Sequence, residues 1–406
     1  MTKTFGSILI AAGTAIGAGM IALPLVTAGM GALYSALLFI FVCAVVFYSA
    51  LLTLEVNLAF KAPRNSYGSM ALETLGKPAQ YLTSVMYLLL LYALASALIS
   101  GGASLMEATT VLVFDKTFPN FLNALIFTVV LGSIVTLSTG AVDIATRGLF
   151  LIKAILIIAV FTLFLPKVDY VSLLQQREAV YIWAAAPVIL TAFGYHIVIP
   201  SLAPYLDNDV SKLRTVLLWG SIVTLCIYLL WVMTLLGTLP MFGMNSFAQI
   251  AVTNGSVGEL MIAIDHYMKT PWLTGVINGF AHVALITTFL GVALSLFDFL
   301  RDRKQGKVPN RFKTAVLTFI PPLLVALFYP NGFVQLLSYA SIFAAFILII
   351  LPAMMAYKMR RTNTLKSPYR VCGGTPMIVL VALIGVGFII VECLRILGYL
   401  PIWTGV

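Results

Sequence analysis

The sequence predicts an all-α polytopic membrane protein with eleven membrane-spanning helices. Three observations predict it. Hydrophobic residues make up 61% of the chain and charged residues 9%, with a mean hydropathy of +1.05, which is not the composition of a soluble domain. The apolar residues fall into eleven runs, each near the roughly 20 residues needed to cross hydrocarbon. Lys and Arg gather in alternate connections between those runs, as they do in cytoplasmic loops.

Span 1 occupies 6–29, behind Lys3. It imitates a signal peptide, but the run is too long and no small-residue cleavage site follows, so it reads as an uncleaved span. Its middle is interrupted by Gly13-Thr14-Ala15-Ile16-Gly17-Ala18-Gly19, with Pro24 beyond. Span 2 (33–59) carries Glu55 near its end, and spans 3 (79–106) and 4 (119–140) carry no charge. Span 5 (145–166) holds Lys153 six residues after Arg147. Span 6 (179–205) contains the second interruption, Phe193-Gly194-Tyr195-His196, bracketed by Pro187, Pro200 and Pro204. Span 7 is 214–239. The longest connection, 240–271, contains Glu259, Asp265 and His266, and either caps an entrance or is simply solvated. Span 8 (272–299) carries His282 and Asp298; the basic loop 301–313, with Pro309-Asn310, follows. Spans 9 (314–330), 10 (333–357) and 11 (376–400) complete the series, the last with Glu392 and Arg395 three apart and suited to pairing.

With the N-terminus in the cytoplasm, the inner side holds Lys3, Lys61, Arg64, Lys77, Arg147, Lys153, Lys212 and Arg214. It also holds Arg301, Arg303, Lys304, Lys307, Arg311, Lys313, Lys358, Arg360, Arg361, Lys366 and Arg370, together nineteen of the 24 Lys and Arg. Only Lys116, Lys167, Arg177, Lys269 and Arg395 fall elsewhere. The net charge of +10 therefore reports orientation (N-terminus in, C-terminus out) and not a nucleic-acid partner. Cys43, Cys226, Cys372 and Cys393 form no C-x-x-C pair and carry no disulfide or metal signal. No Walker loop and no H-E-x-x-H occur, so ATP-driven transport and metalloprotease chemistry lack support, and no cofactor is expected. The expected setting is the bilayer of a bacterial inner membrane.

The two interruptions open corresponding halves of the chain. Residues 1–170 form a first five-span set, 171–358 a second, and 359–406 add one further span. Because five is odd, the second set starts from the opposite face, so any kinship between the sets is an inverted repeat. Helix breakers at membrane depth are tolerated only where the backbone lines a cavity or is buried in protein. A half-helix N-terminus near Gly17–Gly19 presents free N–H groups and a positive dipole end to an anion. The second break supplies carbonyl oxygens to a cation. Together they describe a zwitterion receptor, hence an amino acid. Taken alone, Gly13-x-x-x-Gly17 is equally a small-residue helix-packing pattern.

The stretch from Gly13 to Pro24, ending at Gly29, resembles the first span of the bacterial aromatic amino acid permeases, hydroxy/aromatic amino acid permeases of the amino acid–polyamine–organocation superfamily. Phe193-Gly194-Tyr195-His196 with Pro200-Ser201 resembles that family's sixth span. Leu290 to Asp298 and Ala326 to Phe333 resemble its later segments, and the tyrosine-specific branch is nearest. The likeness covers nearly the whole chain. It implies a leucine-transporter-type fold, five plus five inverted spans and one extra, and proton-coupled import of an aromatic amino acid, tyrosine first. Ile197-Val198-Ile199 departs from the family's Gly-containing version and leaves the choice of aromatic substrate open. A tryptophan- or serine/threonine-selective permease is the alternative within transport; a channel or a non-transporting sensor is the alternative outside it. The first lacks repeated pore segments and the second lacks an output domain. The chain is expected to work as a monomer.

The expected substrate-binding residues are Thr14, Gly17, Ala18 and Gly19 in the first break, and Phe193, Gly194 and His196 in the second. Tyr92 and Phe289 are candidates to face the substrate ring, with helix packing as their alternative. Lys153 has two readings. It snorkels to the interface, or, as the resemblance implies, it carries the coupling proton where sodium sits in sodium-coupled relatives. His196 either joins that coupling or fixes the pocket. His282 reads as a satisfied packing histidine. Glu55 and Asp298 read as solvated end-caps or as inner-gate partners of loop cations.

Overall fold

A computed structural model describes residues 3–60, 66–137, 139–175, 177–253, 255–268, 270–302, 310–362 and 365–405. Lys61, Arg64, Lys269, Arg303, Lys304 and Lys307, used above to orient the chain, and Pro309 lie outside them. Among the described residues the chain is all-helical, with ten helices long and apolar enough to span a membrane and an eleventh span formed by a bent pair. The chain is a multi-pass membrane protein.

The bent pair is span 1, where α1 (Lys3–Ala15) and α2 (Gly19–Thr27) meet at 55°. Span 2 is α3 (Gly31–Asn57), followed by a short α4 (Tyr67–Leu75) that Ser66 caps through its hydroxyl. Spans 3, 4 and 5 are α5 (Lys77–Phe114), α6 (Asn120–Leu137) and α7 (Thr139–Phe164). Span 6 is divided into α8 (Ile182–Ala192) and α9 (Ile199–Tyr205) around a tight turn at Tyr195–Val198. Span 7 is α10 (Val210–Leu236), and the long connection contains α11 (Val257–Met268). Spans 8 and 9 are α12 (Pro271–Asp302) and α13 (Arg311–Phe328). Span 10 runs as α14 (Phe333–Ala345), a wide π turn and α15 (Leu351–Thr362); span 11 is α16 (Gly374–Ile396).

The expected spans match these helices to within a few residues, except that α5 runs 38 residues. Burial separates an inner set from an outer one. In their most apolar stretches 67% of span 2 and 61% of spans 6 and 10 is buried, against 22% of spans 5 and 9 and 28% of span 11. The outer spans are the lipid-facing ones. With no hydrophobic drive between helices in lipid, close backbone approach supplies the packing. At one such approach Gly220 of α10 lies against Ala11 of α1, where an added methyl would stand 3.0 Å from the Ala11 Cβ.

The expected solvated end-cap at Glu55 is corrected by the structure. Glu55 is 1% exposed and binds Arg360 of α15 through both oxygens, at 2.7 and 2.5 Å. It also accepts from the Val371 amide at 2.8 Å. A carboxylate this deep stays in place because a guanidinium fork and a backbone N–H fill its lone pairs. The pairing expected of Glu392 and Arg395 is present at 2.6 Å, with Ser338 donating to Glu392 at 2.7 Å. His282 is satisfied by the Thr109 hydroxyl at 2.9 Å.

Candidate functional site

The two breaks abut. A methyl added at Gly19 would stand 3.4 Å from the Ala192 Cα, so the start of α2 and the end of α8 touch at a position where glycine allows the approach. Beside them lies a cavity of about 640 Å³, within the roughly 300–1,000 Å³ of small-molecule sites. Its walls come from α1, α5, α7, span 6, α12 and span 10. It extends from the breaks toward the end of the bundle where Arg147 and Ser295 stand.

Broken helices leave carbonyls without intrahelical partners, and several of those at the two breaks are met from within the chain. In the first break the Ala12 oxygen accepts from the Ile16 amide at 2.9 Å. The Lys153 ammonium donates to the Ile16 oxygen at 2.7 Å and lies 3.4 Å from the Gly13 oxygen. The Ala15 oxygen receives the Tyr228 hydroxyl at 2.6 Å. In the second break Phe193 N reaches back to Ile189 and Leu190, Gly194 N donates to Thr191 O, and Tyr195 N donates to Phe193 O at 2.7 Å. The Ala192 oxygen is 2.8 Å from the same Tyr228 hydroxyl.

The amides at the start of α2 are partly used as well. Met20 and Ile21 donate to the Gly17 and Ala18 oxygens, and Ala18 N donates to Thr288 Oγ1 at 3.0 Å. Thr288 in turn donates to Ala284 O at 2.8 Å, which aims its lone pairs at the break. Gly17 is fixed sterically too, because an added methyl would stand 2.5 Å from Thr288 Oγ1.

Of the expected residues, Thr14, Gly194 and Lys153 line the cavity, with Gly13 beside them. Gly17, Ala18 and Gly19 stand one layer behind Thr288, and the Phe193 side chain is fully buried against Phe39 and Tyr228. His196 is fully buried and does not line the cavity; its ring stacks on Tyr195 with centroids 5.3 Å apart. Tyr92 and Phe289 do not line it either. The Tyr92 hydroxyl donates to Leu317 O at 2.7 Å, and Phe289 packs edge-on against Phe127 at 5.1 Å.

Lys153 is 6% exposed, so its side chain does not snorkel. The helix surface on either side of it, at Leu151, Ile152 and Ile155, is exposed while Lys153 points inward. Its ammonium lies 5.3 Å from the centre of the Phe150 ring, which fills the notch left by Gly13. Gly13 and Gly17 are thus both packed from within the chain, by Phe150 of α7 and Thr288 of α12, so the pair also serves as the small-residue helix-packing pattern. Sequence reasoning missed Thr288 and Tyr228. Their signal was a hydroxyl at mid-span, away from the interfaces that tyrosine favours.

Away from the cavity, the opposite end of the same elements is closed. Arg177 donates to Ala28 O at 2.6 Å, and Trp403 packs into the notch at Gly29 beside Tyr181.

Comparison with known proteins gives a consistent result. Residues 1–392 match the model of the tryptophan/tyrosine permease family. Tyrosine-specific transport system 2 of Haemophilus influenzae is 39% identical over 406 residues, covering 99% of each chain. Tyrosine-specific transport system 1 of the same organism is 36% identical and covers 100% of each. A tryptophan-specific transport protein of Pseudomonas aeruginosa is 34% identical over 98% of this chain and 95% of its own.

Proposed function

The chain belongs to the tryptophan/tyrosine permease family, and from that premise we propose that it imports an aromatic amino acid, tyrosine first, by proton-coupled symport. It is a transporter and not an enzyme. The observation that carries the reading is the meeting of two broken spans, Gly19 against Ala192, beside a cavity holding one buried ammonium.

The amides of Gly17 and Gly19 receive the substrate carboxylate at the positive end of α2. Thr288 yields or shares the Ala18 amide as it enters. The substrate ammonium lies toward Thr14 and the edge of the second break at Gly194. The ring extends among Tyr87, Leu90, Leu91 and Phe150, apolar surfaces of the same cavity. Lys153 holds the Ile16 carbonyl when protonated and releases it when its proton leaves. That loosens the first break and couples the proton to opening. No cofactor is used; the proton is the coupling ion.

In this reading residues 1–170 and 171–358 are inverted repeats, and 359–406 add the eleventh span. The N-terminus is cytoplasmic, the protein sits in the bacterial inner membrane, and it works as a monomer. The cavity then opens to the cytoplasm and the Arg177 and Trp403 side is the closed outer face. Alternating access exchanges the two.

Proteoliposomes energised by an inward proton gradient should accumulate labelled tyrosine against its concentration gradient. Equilibration without accumulation removes the symport reading. The tryptophan-specific relative supports a second substrate, and competition by tryptophan stronger than by unlabelled tyrosine would reverse the preference.

A further inference from the structure

Tyr228 of α10 is fully buried at the centre of the bundle. Its hydroxyl lies 2.6 Å from the Ala15 oxygen and 2.8 Å from the Ala192 oxygen. Ala15 and Ala192 are the last residues of α1 and α8, so both oxygens are orphaned by a break. The ring is held independently of the hydroxyl. Phe193 packs edge-on at 5.0 Å and Phe39 at 6.2 Å. A phenol carries one proton, so two carbonyls from two different spans share a single donor. They can share it only while the two breaks keep this spacing.

We propose that Tyr228 is a positioning residue that couples the two broken spans, so that the first and second breaks open and close as one unit. Three arrangements support this. The breaks already touch at Gly19 and Ala192. Lys153 secures the first break to span 5 and leaves the second untouched. Ser221, two helical turns before Tyr228 on the same face of α10, bonds the Tyr195 hydroxyl at 2.6 Å and so anchors the far side of the second break. Span 7 thereby fixes span 6 at two levels and reaches span 1 through Tyr228. Shifting either half-helix breaks the shared bond and leaves a buried carbonyl unpaired, which is unfavourable. The hydroxyl thus sets the separation between the end of α1 and the end of α8, and with it that between the two breaks.

The test is Tyr228→Phe in the full chain, which keeps the ring packing and removes only the oxygen. Tyr195→Phe, an equally buried hydroxyl deletion, is the matched control. Hydrogen–deuterium exchange on the reconstituted protein should rise together at 12–19 and at 189–196 in Tyr228→Phe. In Tyr195→Phe it should rise in the second stretch alone. A rise confined to one break in Tyr228→Phe, or none in either, overturns the proposal. The kinetic arm rests on the transport reading: KM for labelled tyrosine should increase roughly tenfold, the scale of one lost buried hydrogen bond, with the maximal rate held. An unchanged KM also overturns the proposal. Should the wild-type protein carry no tyrosine, the transport reading fails and the exchange result alone decides this one.

Discussion

The ammonium nitrogen of Lys153 lies 2.7 Å from the carbonyl oxygen of Ile16, placing a full positive charge on the open end of a half-helix in the protein interior. The carbonyl end of a helix is its negative pole, so the pair is favourable while the amine keeps its proton. In the proposed coupling, loss of the proton would leave a neutral amine that still donates a hydrogen bond but lacks the attraction of a charge for that pole, which weakens the tie between span 5 and the first break.

Lys153→Met preserves the length of the stem and deletes the charge. Gradient-driven accumulation of labelled tyrosine should disappear in this variant, whereas exchange of internal for external tyrosine persists. The two assays on the same proteoliposomes separate coupling from binding. Accumulation at the wild-type level takes Lys153 out of the mechanism.

Glu55 and Arg360 form a buried ion pair that ties span 2 to span 10 and to the segment before span 11. Removing one member of such a pair typically costs about 3–5 kcal/mol, because the other charge stays buried. Arg360→Met should therefore melt far below the wild type in detergent, and Glu55→Leu with Arg360→Met should recover most of the loss. A double variant no more stable than the single one contradicts the pairing.

Much of this fold is legible in the sequence because hydrocarbon leaves few options. Apolar length fixes the spans, and the Gly13 to Gly19 stretch has to break α1 from α2, as it does at 55°. The site was harder to read, for a geometric reason. Whether Lys153 reaches the interface or the interior depends on the rotation of span 5, and Leu151, Ile152 and Ile155 are as apolar as any core residue. Only the structure shows them exposed and Lys153 buried. In the sequence Glu55 stays between a solvated end-cap and a partner for loop cations, because the cation it binds, Arg360, stands 305 residues away. The Tyr228 hydroxyl binds two backbone carbonyls that are open only because two other spans break. No spacing rule encodes such a contact.

Gly13 and Phe150 make a steric prediction. An added methyl at Gly13 would overlap the outer edge of the Phe150 ring, a side chain and not backbone. Gly13→Ala should lower the yield of folded protein on size-exclusion chromatography. Adding Phe150→Leu should restore it, since the smaller side chain vacates the notch. Failure of the second substitution to help would place the requirement at Gly13 in the backbone instead.

Glu259, in the long connection between spans 7 and 8, accepts a hydrogen bond from Thr253. Burial nevertheless raises its carboxyl above the ordinary glutamate value, and the Thr253 bond offsets only part of that. A raised folded-state value means that the folded protein binds this proton more tightly than the unfolded chain. Stability from this group is therefore lost as pH rises through the glutamate range toward neutrality. Glu259→Gln keeps an acceptor for Thr253 and cannot ionise. It should melt higher than the wild type at neutral pH and equal it below the glutamate range. A gain that persists unchanged at acid pH would point to packing instead.

The last prediction concerns the end of the bundle away from the cavity, where Trp403 sits in the notch at Gly29. A methyl added at Gly29 would stand 2.6 Å from both Cβ and Cγ of Trp403 and 3.0 Å from the Tyr181 ring. That is too close for the tail to stay seated. The tail is held elsewhere by equally tight contact, since a methyl at Gly405 would stand 2.5 Å from the Ala248 oxygen. Ile402, Trp403 and Thr404 also wall a smaller cavity of about 190 Å³ between α2, α8 and the start of α14. Gly29→Ala should lift residues 401–405 from this seat and increase their amide exchange roughly tenfold, as for a segment opening locally. In Trp403→Gly both clashing atoms, Cβ and Cγ, are gone, so adding Gly29→Ala to it should change exchange in the tail no further. Additive effects of the two substitutions would mean that Gly29 acts on α2 itself, and the tail would then play no part in holding this end of the first span against the sixth.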